Sequence, residues 1–410
     1  MNIKHLAIEK CPDCGPVPVV HWVERWSIIV DWFFAPLFGC MDWLLGVLRP
    51  LLCLFPWQYL GLPFFKLLVA LRLGTLQNKV DDRDNARTRA MWESAEKRGI
   101  EVKEFRLLGR QQAGFFWARW NGKVTLYEGL PRPLGLFDKS LAWMDNKSLI
   151  KKKFSAAGIP VARGGTCTRF SQAEEIFKEV GAPVIVKPHI GSRSRHTFVH
   201  VMSLPDLKAA FKSAKQLSPW VIVEEELVGH VYRGTVVNGK CLGIVSREPA
   251  HVIGDGKKTI RELVEEENKN PLRKGLIYHA IPTDEEGRRE LARQGFTWDN
   301  VPKKGERVAI NQKVTRTLGA VIRDVTDETH PDMIAILEKA ANVLGSPLVG
   351  IDFIIKDIGK SWKEQEKCGI IECNSLPFVD LHHYPISGTP RDVAGALWEL
   401  VFPGCSKGRA

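Results

Sequence analysis

The residues best suited to chemistry lie in the last third of the sequence, where two apolar runs carry oxygen-bearing side chains. Asp352 lies in the first run, residues 350–354. Glu372 and Asn374 lie in the second, residues 369–374, and because they are two apart their side chains share one face of a β-strand. Two carboxylates and an amide oxygen suit Mg²⁺, which usually completes its shell with water and phosphate oxygens. The spacing alone fits two buried strands with polar ends equally well.

The elements that would position these ligands are two strands that lie side by side. Both runs are rich in β-branched residues, and the polar segment 356–367 between them is long enough to reverse the chain. We therefore predict a β-hairpin or a pair of neighbouring strands. Asp352 would then join Glu372 and Asn374 from the adjacent strand.

A second stretch with chemical potential combines a lysine with a small, basic loop. Lys187 ends the apolar run 183–188, the loop 191–197 follows, and residues 198–202 form a second apolar run. A lysine on a strand and a loop rich in hydrogen-bond donors could cover phosphate groups. A solvated basic turn is the equally good alternative.

The composition is that of a folded protein with two or three structural units. The chain has 410 residues, of which 44% are hydrophobic and 26% charged, and its formal net charge is +11. Such a charge fits a polyanionic ligand, an anionic membrane surface or nucleic acid. We find no nucleic-acid recognition motif, so we expect no nucleic-acid partner. The spacing of a P-loop is also absent.

The nine cysteines are scattered and include one pair with metal-ligand spacing, Cys11 and Cys14. No second pair follows at the spacing of a zinc ribbon. Reduced thiols in a cytosolic protein are the simpler interpretation, and a zinc site at Cys11 and Cys14 stays open.

Residues 17–73 form an unusual apolar region that contains five of the thirteen tryptophans. Prolines recur at positions 36, 50, 56 and 63, so a straight membrane span is not expected. Glu24, Asp31, Asp42 and Arg49 would form one polar line on a helix that is otherwise apolar. Two interpretations fit: an interfacial or re-entrant membrane anchor, which we favour, or a helical pair that docks on the protein body or on a second subunit.

The remaining segments predict alternating helices and strands. We expect helices at 84–98, 145–157, 171–180, 204–216, 260–268 and 331–344, with Ser171 and Glu174 forming a capping box. Asn121-Gly122 and Asn238-Gly239 predict hairpin turns, and residues 271–307 read as a polar excursion. The predicted domains are the apolar helical region 1–75, a small α/β unit 76–144 and a main domain 145–405.

Taken together, these pieces resemble the ATP-grasp superfamily, and in particular the ATP-grasp module of cyanophycin synthetases, with the bifunctional glutathione synthetases also close. The resemblance covers residues 145–403 and implies an α+β ATP-grasp fold, in which two α/β subdomains clasp ATP. Its most specific motifs are Ile185-Val186-Lys187-Pro188, Arg247-Glu248-Pro249-Ala250-His251-Val252-Ile253-Gly254-Asp255-Gly256, Asp324-Val325-Thr326-Asp327 with His330-Pro331, and the set Asp352, Glu372 and Asn374.

The resemblance implies a role for each matching residue. Lys147 and Lys187 would be the two lysines that bind the nucleotide, and Gly191 and Ser192 would belong to the flap over its phosphates. The hinge, whose backbone would contact adenine and whose acid would bind the ribose, would comprise Glu224, Glu225, Glu226 and Leu227. Arg233 and Arg247 would be the arginines near the γ-phosphate and the acyl phosphate. We also expect Arg316 to be catalytic, because its loop would lie beside the acyl substrate. Asp352, Glu372 and Asn374 would hold Mg²⁺, which Mn²⁺ could replace.

The implied activity is an ATP-dependent ligase that joins a small carboxylate or peptide to an amine through an acyl phosphate, releasing ADP and phosphate. Arg316 and Val231 depart from the family pattern, which leaves the substrate open. The Mur-ligase-like half of cyanophycin synthetases has no counterpart here, so we expect a single ligation. The alternative is an inactive ATP-grasp protein that serves as a nucleotide-responsive membrane or assembly factor. We expect a cytoplasmic homo-oligomer, peripheral on the inner face of the membrane.

Overall fold

The structure, a computed structural model, describes residues 11–14, 19–30, 32–34, 57–81, 84–108, 114–133, 144, 146–190, 195–274, 278–312, 314 and 318–407. The chain divides into two compact units. The first comprises residues 1–56, 146–228 and 367–369, and the second comprises residues 57–145, 229–366 and 370–410. Each unit is described separately.

Strands are labelled in chain order within the described residues. They are β1 Gly74–Gln77, β2 Glu101–Leu107, β3 Gly114–Trp120, β4 Lys123–Glu128, β5 Gly164–Cys167, β6 Val184–Pro188, β7 Phe198–Val201, β8 Val221–Glu225, β9 His230–Val237, β10 Lys240–Glu248, β11 His251–Ile253, β12 Arg307–Ala309, β13 Val321–Asp324, β14 Leu348–Ile355 and β15 Gly369–Asn374.

Helices are named by their bounds. The α-helices are Trp57–Ala70, Ala86–Glu96, Lys147–Ala156, Phe170–Val180, Leu204–Leu217, Ile260–Glu267, Glu285–Arg293, Pro331–Leu344, Asp380–His383 and Val393–Val401, and residues 21–30 and 32–34 are also helical. Short 3₁₀ turns span Pro12–Cys14, Pro271–Lys274, Thr326–Glu328, Trp362–Glu364 and Cys405–Lys407.

The first unit is built on an antiparallel sheet in the order β5-β8-β6-β7. The helices Phe170–Val180 and Leu204–Leu217 bury their apolar stripes against one face, together with Val184, Val186 and Val223. The N-terminal helical residues also belong to this unit: Ile28 is buried, and Trp32 lies 6.0 Å from Trp220 between ring centroids.

The second unit contains the sheet that carries the predicted metal ligands, in the order β13-β10-β9-β14-β15. Strands β14 and β15 are neighbours, which confirms the pairing that the two apolar runs predict. The long helix Pro331–Leu344 buries Ile336, Leu337 and Ala340 and packs on β9, β10 and β14. Two further sheets in this unit have the orders β1-β2-β3-β4 and β11-β12.

Both predicted asparagine–glycine turns are hairpin turns. Asn121 and Gly122 have φ of 44° and 79°, and Asn238 and Gly239 have φ of 48° and 76°. Positive φ at both central residues defines the turn that matches the twist of the flanking strands, and asparagine and glycine adopt it at low cost. The residue types at these turns therefore fix the registers of β3 with β4 and of β9 with β10.

One predicted helix cap and one predicted excursion were wrong. The helix predicted at 171–180 is confirmed as Phe170–Val180, but its cap is not formed by Ser171 and Glu174: the Gln172 side chain accepts hydrogen bonds from the backbone N–H groups of Thr168 (3.0 Å) and Arg169 (3.1 Å). The polar segment 271–307 is not an excursion, since it contains the helix Glu285–Arg293 and buries Leu291. In both places a polar side chain bonds locally in a way that periodicity does not reveal.

The apolar N-terminal region docks at least in part on the protein body. Helix Trp57–Ala70 packs on β1 and β4, and Phe65 stacks on Phe105 at 5.0 Å between ring centroids, next to Trp117. Among the residues that the structure describes, no helix has both the length and the apolar character needed to cross a membrane. Asp31, Asp42 and Arg49 of the predicted polar line lie outside the described residues.

Candidate functional site

In the first unit, a buried carboxylate lies between two lysines. Glu224 on β8 is 2% exposed, and its two carboxylate oxygens accept hydrogen bonds from Lys187 on β6 and from Lys151 on the helix Lys147–Ala156. Ile185 lies opposite Glu224 in the β6–β8 register, so Lys187, two residues further along, reaches Glu224 diagonally on the same face. We call Glu224, Lys151 and Lys187 the lysine cluster.

Electrostatics keep the Glu224 carboxylate ionised despite its burial. Burial on its own would raise the pKa of Glu224, but the charges of Lys187 and Lys151 outweigh it and lower the pKa below the ordinary value. Burial, helped by the nearby charge of Lys187, lowers the pKa of Lys151 even though Glu224 opposes this. Two ammonium groups share one carboxylate, so the lysine cluster keeps one positive charge that could attract a phosphate group.

The predicted nucleotide lysine Lys147 begins the same helix that carries Lys151. The Asn146 side chain caps this helix by accepting a hydrogen bond from the Leu149 N–H at 3.1 Å. His189, just after β6, has Nε2 3.1 Å from Ser148 Oγ, and burial together with the Lys147 charge lowers the pKa of His189. The first turn of the helix therefore lies at the end of β6, where the predicted flap begins. Gly191 and Ser192 of that flap lie outside the described residues.

The other predicted hinge residues contact different parts of the first unit. Glu225 accepts hydrogen bonds from the Arg163 backbone N–H (2.8 Å) and from Arg163 Nε (3.0 Å). Glu226 accepts one from the His200 backbone N–H at 2.8 Å, and Leu227 is buried. Of the three consecutive acids, only Glu224 faces the lysines.

In the second unit, a buried aspartate lies between two arginines. Asp352 on β14 is directly opposite Arg233 on β9. Arg233 donates two hydrogen bonds to the Asp352 carboxylate, from Nη2 to Oδ2 (2.6 Å) and from Nε to Oδ1. Arg247 on β10 adds a contact from Nη1 to Oδ2 at 3.4 Å and donates from Nη2 to the Val314 carbonyl at 3.0 Å. We call Asp352, Arg233 and Arg247 the arginine cluster.

The sequence around Asp352 provides room for this arrangement. A Cβ atom on Gly350 would lie 3.0 Å from Arg233 Nη1 and 2.8 Å from Pro377 Cβ, so a larger residue there would press on the guanidinium. Burial alone would lower the pKa of Arg233, but Asp352, with a contribution from Glu372, raises it. The guanidinium is therefore a permanent charge held in one orientation.

Glu372 and Asn374 lie on β15, next to β14, and their exposure alternates with that of the buried Cys373 between them. Glu372 is exposed and Asn374 is half-buried. Two buried nitrogen atoms, Arg233 Nη1 and Asn374 Nδ2, find no hydrogen-bond partner in the part of the chain that the structure describes. Buried polar atoms are rarely left unpaired, so this position is suited to a polar ligand.

The predicted magnesium ligands have the oxygen donors that this ion prefers, but one of them, Asp352, is also bound by Arg233. Glu372 and Asn374 present a carboxylate and an amide on one strand face, which are hard oxygen donors. Asp352 lies on the adjacent strand, as predicted, but both of its oxygens already accept hydrogen bonds from Arg233. A metal at this position would share Asp352 with Arg233 or displace it. The assignment of these three residues to a metal stays a prediction.

Sequence reasoning missed two basic residues, one in the lysine cluster and one that binds the neighbouring Glu225. Lys151 lies one helical turn after Lys147, and this i, i+4 spacing was the available signal. The side chain of Arg163 binds Glu225 without any local signal in the sequence. Arg316, predicted near the acyl substrate, lies outside the described residues.

One of the motifs behind the family resemblance stabilises the second unit rather than forming part of either cluster. Asp324 and Asp327 both accept hydrogen bonds from Arg391, at 3.0 Å and 2.5 Å, and Thr326 Oγ1 donates to Asp324 Oδ2 at 2.8 Å. These contacts connect the end of β13 to the segment before the last α-helix. The motif therefore has a structural role in the second unit.

The chain was compared with protein families and with known sequences. No family model matches the chain. The chain is 32% identical over 326 residues to cyanophycin synthetase from Trichormus variabilis, which covers 78% of this chain and 35% of that protein. It is 30% identical over 268 residues to the bifunctional glutathione biosynthesis protein of Clostridium perfringens, covering 63% of this chain and 34% of that protein. The chain thus spans well under half the length of these relatives.

A solved structure shows the fold. The bifunctional glutathione synthetase from Pasteurella multocida superposes with a TM-score of 0.62 at 24% identity, covering 78% of this chain and 44% of that one. The fold is α+β, as predicted from the sequence motifs. From its sequence similarity and its fold, the chain is an ATP-grasp protein related to the cyanophycin synthetases.

Proposed function

We propose that this protein is an ATP-dependent ligase that joins a carboxylate to an amine. The observation that carries the proposal is the arginine cluster beside Glu372 and Asn374, on adjacent strands. It combines permanent cations and a carboxylate with two buried nitrogen atoms that have no hydrogen-bond partner among the described residues. Such a set can stabilise a phosphoryl group and the charge that develops on it. The relationship to cyanophycin synthetases and to glutathione biosynthesis proteins supports the same class of reaction.

In this proposal the two clusters have different tasks. Lys187 and Lys147 pair with the phosphates of ATP, with the α- and β-phosphates assigned to Lys187. Arg233 and Arg247 bind the transferred phosphoryl group and the acyl phosphate, and Arg316 contacts the acyl substrate. Glu372, Asn374 and Asp352 would hold Mg²⁺, which neutralises charge on the phosphate oxygens when it is bound.

The proposed reaction has two steps. A carboxylate oxygen of the first substrate attacks the γ-phosphorus of ATP, the bond from that phosphorus to the bridging oxygen breaks, and ADP leaves. The amine nitrogen of the second substrate attacks the acyl carbon, loses a proton, and expels inorganic phosphate as the amide bond forms. Because the chemistry needs no covalent bond to the protein, orientation and charge stabilisation account for catalysis.

A direct test incubates the purified full-length protein with ATP, Mg²⁺ and pools of amino acids and small acids, and follows phosphate release. Hydroxylamine, added in place of the amine, should trap the acyl phosphate as a hydroxamate. We expect at least one pool to stimulate phosphate release and to give a hydroxamate. ATP binding without stimulation by any pool would instead support the inactive assembly factor, which the retained lysines and arginines do not favour.

The metal assignment is tested by a pair of variants. Glu372→Gln should abolish turnover and leave the fold intact, because Glu372 is exposed and lies outside the buried arginine cluster. Glu364→Gln, an exposed glutamate in the 3₁₀ turn between β14 and β15, is the matched control and should retain turnover. Equal activity of the two variants would contradict the role of Glu372. The use of Mn²⁺ and a homo-oligomeric state stay predictions.

Association with an anionic membrane surface is a second candidate property, favoured by one observation. Trp22, Trp26, Trp32 and Phe33 are between 58% and 68% exposed on the N-terminal helical residues. Amphipathic aromatic rings at such positions suit the headgroup region of a membrane. The peripheral inner-membrane location predicted from residues 17–73 rests on this feature.

Flotation with vesicles that contain anionic lipid tests the membrane proposal. Substitution is better than truncation here, because helix Trp57–Ala70 packs on the sheet of the second unit. The triple variant Trp22→Ser/Trp26→Ser/Phe33→Ser should lose flotation, whereas Met202→Ser, which removes another exposed apolar side chain of the same unit, should keep it. A wild-type protein that does not float would contradict the proposal.

A further inference from the structure

Four potential metal ligands from distant parts of the sequence meet in the first unit. Cys11 and Cys14 lie in the N-terminal segment, His21 begins the helical residues that follow, and His196 lies just before β7. The ligand atoms of all four side chains lie within 4.8 Å of one another. The sequence pair Cys11 and Cys14 is thus completed by two histidines rather than by a second cysteine pair.

Four of the six separations between the ligand atoms lie between 3.1 and 3.6 Å, close to the edges of a tetrahedron around one zinc ion. His21 Nε2 and His196 Nε2 are 3.3 Å apart. The Cys14 sulfur lies 3.1 Å from His21 Nε2 and 3.4 Å from His196 Nε2, and the Cys11 sulfur lies 3.6 Å from His196 Nε2. Ordinary zinc–sulfur and zinc–nitrogen bonds in a tetrahedron place two nitrogens about 3.3 Å apart, and a nitrogen and a sulfur about 3.6 Å apart.

We propose that Cys11, Cys14, His21 and His196 bind one structural Zn²⁺ ion. Two thiolates and two neutral imidazoles are a recurrent ligand set for structural zinc, and their combined charge of −2 balances the ion. Each thiol gives up its proton when the ion binds, so binding releases up to two protons to solvent. All four coordination positions are filled by protein, which leaves none for a substrate.

The surroundings of His196 orient it as a zinc ligand. Its Nδ1 lies 2.9 Å from the Ser213 carbonyl oxygen and 2.8 Å from Ser213 Oγ, so a proton on Nδ1 has an acceptor and the lone pair of Nε2 faces the cysteines. Ser213 Oγ in turn donates to Asp13 Oδ2 at 2.5 Å, and the His196 backbone N–H donates to the Asp13 carbonyl at 2.9 Å. Asp13, between the two cysteines, thus supports the histidine from the opposite segment.

Burial favours a structural ion over a catalytic one. Cys14 is 3% exposed and His196 is 1% exposed. The backbone of Cys11–Cys14 is a tight turn in which the Cys14 N–H donates to the Cys11 carbonyl at 3.2 Å, which directs both sulfurs to the same side. A disulfide between these cysteines would not account for the convergence of both imidazoles at this point.

The ion would connect separate segments of the first unit. His196 has a φ of 49°, a left-handed conformation that is uncommon for histidine, and it ends the loop that carries the predicted flap. The zinc would join this loop end to the N-terminal segment and to the first turn of the helical residues that begin at His21. Because the four ligands converge only when the unit is folded, metal binding adds to its stability.

Metal analysis of the purified full-length protein tests the proposal. We expect about one equivalent of zinc per chain after dialysis against metal-free buffer. Protein stripped with a chelator and given Co²⁺ should show the strong visible absorption of a tetrahedral site and sulfur-to-cobalt charge-transfer bands in the near ultraviolet. Added Zn²⁺ should abolish both signals, and metal removal should lower the melting temperature of the wild-type protein.

Matched variants distinguish this site from adventitious binding. Cys11→Ser and His21→Ala should lose most of the bound zinc, whereas the controls Cys241→Ser and His200→Ala, in which a cysteine or histidine outside the cluster is replaced, should keep it. Since a ligand variant could fail to fold, the cobalt spectrum of the wild-type protein provides an independent readout. Zinc far below one equivalent without thiolate–cobalt bands, or a disulfide between Cys11 and Cys14 in the purified protein, would overturn the proposal.

Discussion

Each of the two units of this protein buries a carboxylate between two cationic side chains, but the cations are lysines in one unit and arginines in the other. In the lysine cluster, Glu224 is buried between Lys151 and Lys187. In the arginine cluster, Asp352 is buried between Arg233 and Arg247. Each cluster thus has one carboxylate, two cations and a net charge of +1.

The choice of cation makes the two clusters behave differently. A guanidinium is planar, stays charged and binds a carboxylate through two parallel hydrogen bonds, as Arg233 does, so its orientation is fixed. An ammonium is a point charge on a flexible stem, and Lys151 and Lys187 retain 17% and 15% of their side-chain exposure. We infer that the pair of Arg233 and Asp352, whose side chains are both 6% exposed, is a rigid part of the core, whereas the lysines can turn from Glu224 to a phosphate.

The largest effect that follows from this difference is expected at Asp352. Asp352→Asn removes the charge that compensates Arg233, whose side chain is only 6% exposed, and leaves a buried guanidinium without a counterion. Breaking a buried pair in this way typically costs ~3–5 kcal/mol of unfolding free energy. Urea denaturation of wild type and variant measures the loss. A loss below about 1 kcal/mol would show that Arg233 is not held by Asp352 as proposed.

A smaller loss is expected at the corresponding position of the other cluster. Glu224→Gln leaves two ammonium groups close together, but both can reach water by a small movement of their stems. The expected loss of unfolding free energy is ~1–3 kcal/mol, measured in the same denaturation series. If Glu224→Gln were as damaging as Asp352→Asn, the contrast between a fixed and an adaptable cluster would be wrong.

The stability that Glu224 contributes to the lysine cluster should depend on pH. The pKa of Glu224 is lowered from its ordinary value of 4.5 in the folded state, so its stabilisation is fully present above about pH 4.5 and is lost as the pH falls through the folded pKa. The stability difference between wild type and Glu224→Gln should therefore be constant at neutral pH and shrink in acid. A difference that widens below pH 4.5 would contradict the assignment of an ionised, lysine-paired Glu224.

The two clusters also differ in how much of them the sequence could predict. Asp352, Glu372 and Asn374 follow from strand spacing, and the structure confirms that their strands are neighbours. The direct opposition of Arg233 and Asp352 depends on the β9–β14 register, and the strands are separated by more than 100 residues, so no local pattern specifies it. Spacing therefore placed the proposed metal ligands on neighbouring strands but did not predict the ion pair of Arg233 and Asp352.

The proposed zinc site shows the same limit more clearly. Cys11 and Cys14 are visible as a pair in any reading of the sequence, but His196 follows them after more than 180 residues. A histidine before a strand gives no signal of its own, since most histidines serve neither as ligands nor as catalysts. Only the fold of the first unit, which returns the chain to its N-terminal segment, brings His196 within reach.

The next prediction concerns ligand binding by the lysine cluster and rests on the proposed function. Lys187→Met keeps an apolar stem of similar length but removes the charge assigned to the α- and β-phosphates. We expect the dissociation constant for ATP to rise about tenfold, which corresponds to ~1.4 kcal/mol. Calorimetry on the full-length protein measures the change. Lys152→Met, an exposed lysine of the same helix, is the control and should leave the affinity unchanged.

The smallest effect is expected at an exposed ion pair, which separates the role of burial from that of hydrogen-bond geometry. Arg288 also binds both carboxylate oxygens of Glu285, through Nε and Nη2, but their side chains are 63% and 62% exposed. Water solvates each charge when its partner is removed, and salt screens their attraction. Glu285→Gln should therefore leave the urea midpoint unchanged, although its pairing geometry resembles that of Asp352 with Arg233. A measurable destabilisation here would mean that the bidentate contact itself, rather than its removal from water, accounts for the stability of the arginine cluster.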